Sequence, residues 1–186
     1  MSAPAPNELT VTLPDGKALT LTRGSTGADV AAAIGPGLAK AALAVEVNGN
    51  IWDIFRPLEG DSKVRIITRK DPEALELIRH DTAHILAMAV QQLYPGTQVT
   101  IGPNIEDGFF YDFARDTPFT PDDLAKIEAR MHEIVSEDVP TRREVWPRDE
   151  AVEHFEKLGE FYKAELIRAI PANEDVSIYF HGDWHD

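Results

Sequence analysis

The hydrophobic period of this chain changes once, at Arg69-Lys70-Asp71-Pro72, which restricts the fold to a strand-rich unit followed by a helix-rich one. Upstream, residues 8–13 (ELTVTL) and 17–22 (KALTLT) alternate apolar and polar side chains around Pro14-Asp15-Gly16, the pattern of two strands and a tight turn. Ser25 or Thr26 can cap a short helix running to Ile34, with Gly35-Pro36-Gly37 as its stop. Strands are predicted over 43–47, 50–55 and 63–68, separated by Asn48-Gly49 and by Glu59-Gly60-Asp61. The sum is a small mixed sheet gripping one helix.

Downstream, Pro72 suits the first turn of a helix that runs to about Leu93 and is stopped by Tyr94-Pro95-Gly96. At about 100° per residue, Leu75, Ile78, Ile85, Leu86, Ala89 and Leu93 form its dominant apolar stripe, with His80 and His84 beside that stripe. Strands at 97–101 and 108–113 follow, joined by GPNIED, then a helix over 121–137 capped by Thr120 with Asp123 at its third position. A strand at 141–146, helices at 148–158 and 161–169, and a last strand at 176–180 complete the pattern before HGDWHD. The expected organisation is α+β, with domains over 1–70 and 71–186; 43% hydrophobic content suffices for at least one sizeable core.

The absence of cysteine excludes a disulfide framework, a thiol nucleophile and a Cys-based zinc site, so any metal would need His, Asp or Glu. Thirty-two acidic against 18 basic residues give a formal net charge of -14, which disfavours a general electrostatic grip on nucleic acid. Contact with RNA must then be local or rest on other parts of a larger protein; Arg65, Arg69, Lys70 and Arg79 are close enough in sequence to form a positive lip, whereas Arg142 and Arg143 read equally as solvated residues. The start MSAPAPNELTV has no signal-peptide pattern and no apolar run is long enough to span a bilayer, so a cytoplasmic protein without membrane contact is expected.

His80 and His84, four residues apart in IRHDTAHILAMAV, share one side of a helix and can act on one ligand. They read as boundary histidines, as metal ligands, or as groups that orient water or a substrate hydroxyl near neutral pH. A zinc-protease H-E-x-x-H reading fails, because the residue after His80 is Asp81. A metal-dependent hydrolase could instead join His80 and His84 to His181 or His185, should the C-terminal segment fold back on the helix. In IGPNIEDGFFYDF the turn residues alternate with aromatic ones; core packing accounts for Phe110, while Asp112 could anchor a polar neighbour. Lys163, in GEFYKAEL, is either a solvated helix residue or a binder of phosphate or ribose oxygen.

Taken together, LTVTLPDG, VNGNIWDIFRPLEGDSKVRII, RHDTAHILAMAV, IGPNIEDGFFYDF and YFHGDWHD resemble, in this order, the N-terminal region of bacterial threonine-tRNA ligases. Residues 8–68 are similar to the TGS domain, a ubiquitin-like β-grasp module, and 73–186 to the editing domain of that family, an α/β unit with a long HxxxH helix. The resemblance implies hydrolysis of seryl-tRNA(Thr), with His80, His84, Lys163 and Asp186 at the editing site. The family's C-x-x-x-H element would fall after Asp186, so the editing domain is expected to be C-terminally incomplete here. ATP-dependent aminoacylation, with ATP, magnesium and zinc, would belong to a downstream core of the full-length enzyme, and no cofactor is expected in this region. The implied partner is threonine tRNA, its 3' aminoacyl end in the editing cleft; the full-length enzyme would be a homodimer and this segment a monomer. The alternatives are a noncatalytic RNA-binding or regulatory protein containing a TGS domain, and the metal-dependent hydrolase.

Overall fold

A computed structural model describes residues 7–186, so residues 1–6 of the expected first domain lie outside the described residues. The chain divides into two compact units between Leu77 and Ile78. The division falls in the first turn of a helix and not at the charged break itself.

In the first unit, strands β1 (Glu8–Thr12) and β2 (Ala18–Thr22) form the expected hairpin, in register from Glu8 opposite Thr22 to Thr12 opposite Ala18. With β3 (Ala42–Val47), β4 (Asn50–Asp53) and β5 (Ser62–Thr68) they make a five-stranded sheet of order β2-β1-β5-β3-β4. The β1–β5 pair is parallel, and β5 pairs antiparallel with β3. Helix α1 (Gly27–Ile34) starts in a capping box, in which the Thr26 hydroxyl accepts from the Asp29 N–H and the Asp29 carboxylate accepts from the Thr26 N–H. Its buried Val30 joins Leu9, Val11, Val45, Val47, Leu58 and Val64 in one core.

The stop expected at Gly35-Pro36-Gly37 is instead the start of a second short helix, α2 (Pro36–Ala41), because proline is favourable at a first helical position. Strand β4 ends two residues before its expected end, since the Asp53 carboxylate accepts the Phe55 N–H at 2.7 Å and turns the chain. Gly27 packs against the sheet so closely that a Cβ there would lie 2.7 Å from Val45 Cβ. Gly27→Ala is therefore expected to destabilise this unit by about 1–3 kcal/mol, read as a lower denaturant midpoint, where Gly37→Ala, with nothing near its Cβ position, is not.

The second unit carries α3 (Ala74–Leu93) from Ile78 onward, α4 (Pro121–Glu137), α5 (Arg148–Lys157) and α6 (Phe161–Arg168). Its three-stranded antiparallel sheet joins β10 (Thr141–Pro147), β11 (Asp175–His181) and β12 (Trp184–His185). One core packs α3 against α4 through Met88, Ala89, Val90, Ile127 and Ile134; another packs α5 and α6 on β11 through Val152, Phe155, Ala164, Ile167 and Ile178. Thr120 and Asp123 form the expected capping box of α4.

The stripe expected on α3 holds in part. Ala89 is buried and Ile85 and Leu86 pack partly buried against the same core, whereas Leu75, Ile78 and Leu93 are exposed and Ala83, Ala87, Met88 and Val90 complete the buried side. Residue hydrophobicity favours Leu and Ile, whereas close packing of α3 uses the small alanines. The two strands expected over 97–113 are broken into the short ladders β6 (Gln98–Val99) with β9 (Phe113–Ala114) and β7 (Asn104–Ile105) with β8 (Gly108–Phe109). The Tyr111 ring covers Gly102, where a Cβ would lie 2.3 Å from a ring carbon, and Pro103 offers no N–H for pairing. Phe110 is exposed rather than part of the core. Among the described residues no helix is long and apolar enough to cross a membrane.

Candidate active site

The hairpin of β11 and β12 brings the last residues of the chain back onto α3. Gly182 takes a positive φ at its turn, and past β12 the Tyr179 and Asp186 main chains exchange both N–H···O bonds, at 2.9 and 3.1 Å. Trp184 anchors the hairpin by donating its indole N–H to the Gln91 side-chain oxygen at 2.7 Å. Asp186 is thereby fixed under the histidine-bearing side of α3.

His84 Nδ1 lies 3.0 Å from Asp186 Oδ2, and Lys163 Nζ lies 2.8 Å from Asp186 Oδ1. Lys163 also meets Glu160 Oε2 at 2.7 Å, from one turn earlier at the start of α6. Only 6% of Lys163 is exposed, and its ammonium sits over the Phe155 ring, 4.7 Å from the centroid. His80 stands edge-on to His84, with ring centroids 4.6 Å apart, and has a largely exposed side chain beside Asp81. Thus His84, Lys163 and Asp186 are joined in one chain of contacts, and His80 borders it through ring packing.

Burial by itself pushes the Asp186 carboxyl up, but the hydrogen bond with His84 and the Lys163 charge outweigh it and hold the group well below the usual carboxylate range. Tyr111 is affected oppositely: burial, then the charges of Asp186 and Glu160, push its phenol up, so it stays a neutral hydroxyl. Tyr111 and Glu160 were not singled out from the sequence. The signal for Glu160 was its position three residues before Lys163 on one helix face. No spacing rule connects Tyr111, which the irregular hairpin delivers.

Other expectations change. The Asp112 main-chain carbonyl, not a side-chain anchor, accepts the Thr100 hydroxyl at 2.6 Å. The four imidazoles do not gather at one point: His181 faces Thr141 and Trp184, while His185 Nε2 lies 2.7 Å from His154 Nε2. Among the described residues no three His, Asp or Glu side chains are placed to hold a metal ion. Of the residues expected in a positive lip, Arg65 in the first unit is paired with Glu46, Asp71 and Glu73, and Arg79 in the second donates to the carbonyls of Ile105 and Glu106. Arg69 and Lys70 remain exposed. Arg142 lies over the Phe180 ring and pairs with Glu144.

Comparison with known proteins gives two findings. Residues 9–68 match the family of the TGS domain, which is present in this chain. The chain is also 60% identical over 178 residues to the threonine--tRNA ligase of Maricaulis maris, covering 96% of the chain and 28% of that protein. It is 60% identical over 176 residues to that of Rhodospirillum rubrum, covering 95% and 27%, and 59% identical over 179 residues to that of Thiobacillus denitrificans, covering 96% and 28%. The match lies in the N-terminal region of these ligases, and the chain spans little more than a quarter of their length.

Proposed function

We propose that this chain is the N-terminal part of a threonine-tRNA ligase and that its second unit hydrolyses serine wrongly esterified to threonine tRNA. The observation that carries this reading is the chain His84–Asp186–Lys163, largely buried and bordered by His80. A carboxylate kept ionised beside two imidazoles suits an ester that carries an amino group. Asp186 would receive the seryl ammonium or hydroxyl. His80 and His84 would place water, or the terminal ribose hydroxyl, against the ester carbonyl. Water oxygen bonds to the carbonyl carbon as its O–H bond breaks, the ester C–O bond breaks, and the proton given up by the water passes to the released ribose oxygen.

Lys163 Nζ forms ion pairs with Glu160 and Asp186 at 2.7 and 2.8 Å and donates to the His185 carbonyl at 3.5 Å. That last bond is long enough for a ribose oxygen to compete for the donor. A separate hydrolytic site has a physical reason, because one methyl group separates serine from threonine and a binding pocket discriminates such a difference only about 10–200-fold.

In the whole protein, aminoacylation with ATP, magnesium and zinc would be carried by the part outside these residues. The whole protein would act in the cytoplasm as a dimer with threonine tRNA as its partner. The test is NMR titration of the 186-residue chain with a non-hydrolysable 3'-seryl-amide of adenosine. Saturable shifts at His84, Lys163 and Asp186, weaker for the threonyl analogue, are expected; shifts confined to the TGS domain would instead indicate a noncatalytic RNA-binding role.

A further inference from the structure

We propose that His154 is a positioning residue: through one shared proton it holds His185, and with it the strand segment that carries Asp186, in place. The two rings come from different elements, α5 and β12, and their Nε2 atoms face each other at 2.7 Å. Two facing ring nitrogens at that distance need one hydrogen between them. His185 Nδ1 lies 3.2 Å from the Asp183 carbonyl, which requires its hydrogen on Nδ1. His185 Nε2 is then the acceptor, and His154 Nε2–H the donor.

Neither ring can turn away easily. His185 stacks on Phe180 with centroids 4.7 Å apart and touches Phe155, while His154 stands edge-on to Trp146 at 4.9 Å. The residue held in this way is the immediate neighbour of Asp186, and its carbonyl faces Lys163 Nζ.

The same bond responds to acid. A proton on His154 Nδ1 leaves it intact, whereas a proton on His185 Nε2 puts two N–H groups face to face and breaks it. The charged groups around His185 are His154 from α5, and Lys163 with Glu160 from α6. Burial first, then the charges of His154 and Lys163, lower the His185 pKa, against Glu160 and the Asp183 carbonyl. A histidine lowered in the folded state disfavours that state as pH falls below the ordinary imidazole value. The closed hairpin is therefore the neutral-pH form, and mild acid loosens it.

The consequence for hydrolysis rests on the editing reading; the histidine pair itself does not. The experiment is amide hydrogen exchange, corrected for intrinsic rates, at Tyr179 and Asp186 in the 186-residue chain. In the unsubstituted chain, protection should fall about tenfold between pH 8 and pH 5, the size of one lost hydrogen bond. His154→Gln keeps an amide donor at that position and can turn its carbonyl to a protonated His185, so its protection should match at pH 8 and stay level to pH 5. His154→Ala should lose the protection at both pH values. Equal acid loss in His154→Gln and the unsubstituted chain, or full protection in His154→Ala, would overturn the proposal. No tRNA enters this measurement, so failure to deacylate tRNA leaves its result intact.

Discussion

Lys163→Met is expected to destabilise the second unit by about 3–5 kcal/mol, because it leaves two enclosed carboxylates without their shared cation. Glu160 and Asp186 have side-chain exposures of 17% and 16%, too low for water to replace the ammonium fully. Methionine keeps most of the packing against Phe155, which isolates the charge effect from a cavity effect. The change should appear as a lower denaturant midpoint at neutral pH. Asp186 fixes the sign of the pH dependence: its carboxyl is held low in the folded state, so its contribution is present above the ordinary carboxylate value and is lost as pH falls through the folded one. The deficit of Lys163→Met should therefore be largest at neutral pH and shrink as acid protonates the two carboxylates, which burial without the cation makes easier to protonate. An unchanged midpoint at pH 7 would mean that the Lys163 contacts do not stabilise the unit.

Under the proposed editing function, His84→Ala is expected to slow hydrolysis of seryl-tRNA(Thr) by the full-length protein about 10²–10⁴-fold, the range typical of a positioned acid–base group. His84 bonds to Asp186 at 3.0 Å and packs on His80 and Trp184, so its loss both removes an imidazole and frees the carboxylate. His80→Ala should also slow the reaction, with a smaller loss of stability, since the His80 side chain is largely exposed. A variant that keeps its melting temperature while losing hydrolysis places the effect in the chemistry. Hydrolysis equal to that of the unsubstituted protein would remove both histidines from the reaction.

How far the sequence reveals the structure depends on the range of the interaction concerned. The Thr120–Asp123 cap and the β1–β2 hairpin are legible because their determinants lie within a few residues. The buried side of α3 is legible only in part: Ala89 lies on the expected stripe, but Ala83 and Ala87 carry little hydrophobic signal and are buried by what packs on them. The enclosure of Arg65 by Glu46 is equally hidden, since it depends on β3 and β5 being neighbours in the sheet. In the candidate site, the His80–His84 spacing is visible along one helix. The meeting of His84 with Lys163 and Asp186 joins α3, α6 and the end of the β12 hairpin, and no local pattern encodes it. The His154–His185 contact was missed for the same reason, as β12 itself has no sequence signal beyond Gly182 at its turn.

The most direct measurement is deacylation of seryl-tRNA(Thr) and threonyl-tRNA(Thr) by the full-length protein, without ATP so that no recharging occurs. The editing account predicts rapid release of serine and slow release of threonine, with the serine rate collapsing in His84→Ala. Release of serine no faster than the uncatalysed rate, or equal release of both amino acids, would contradict it.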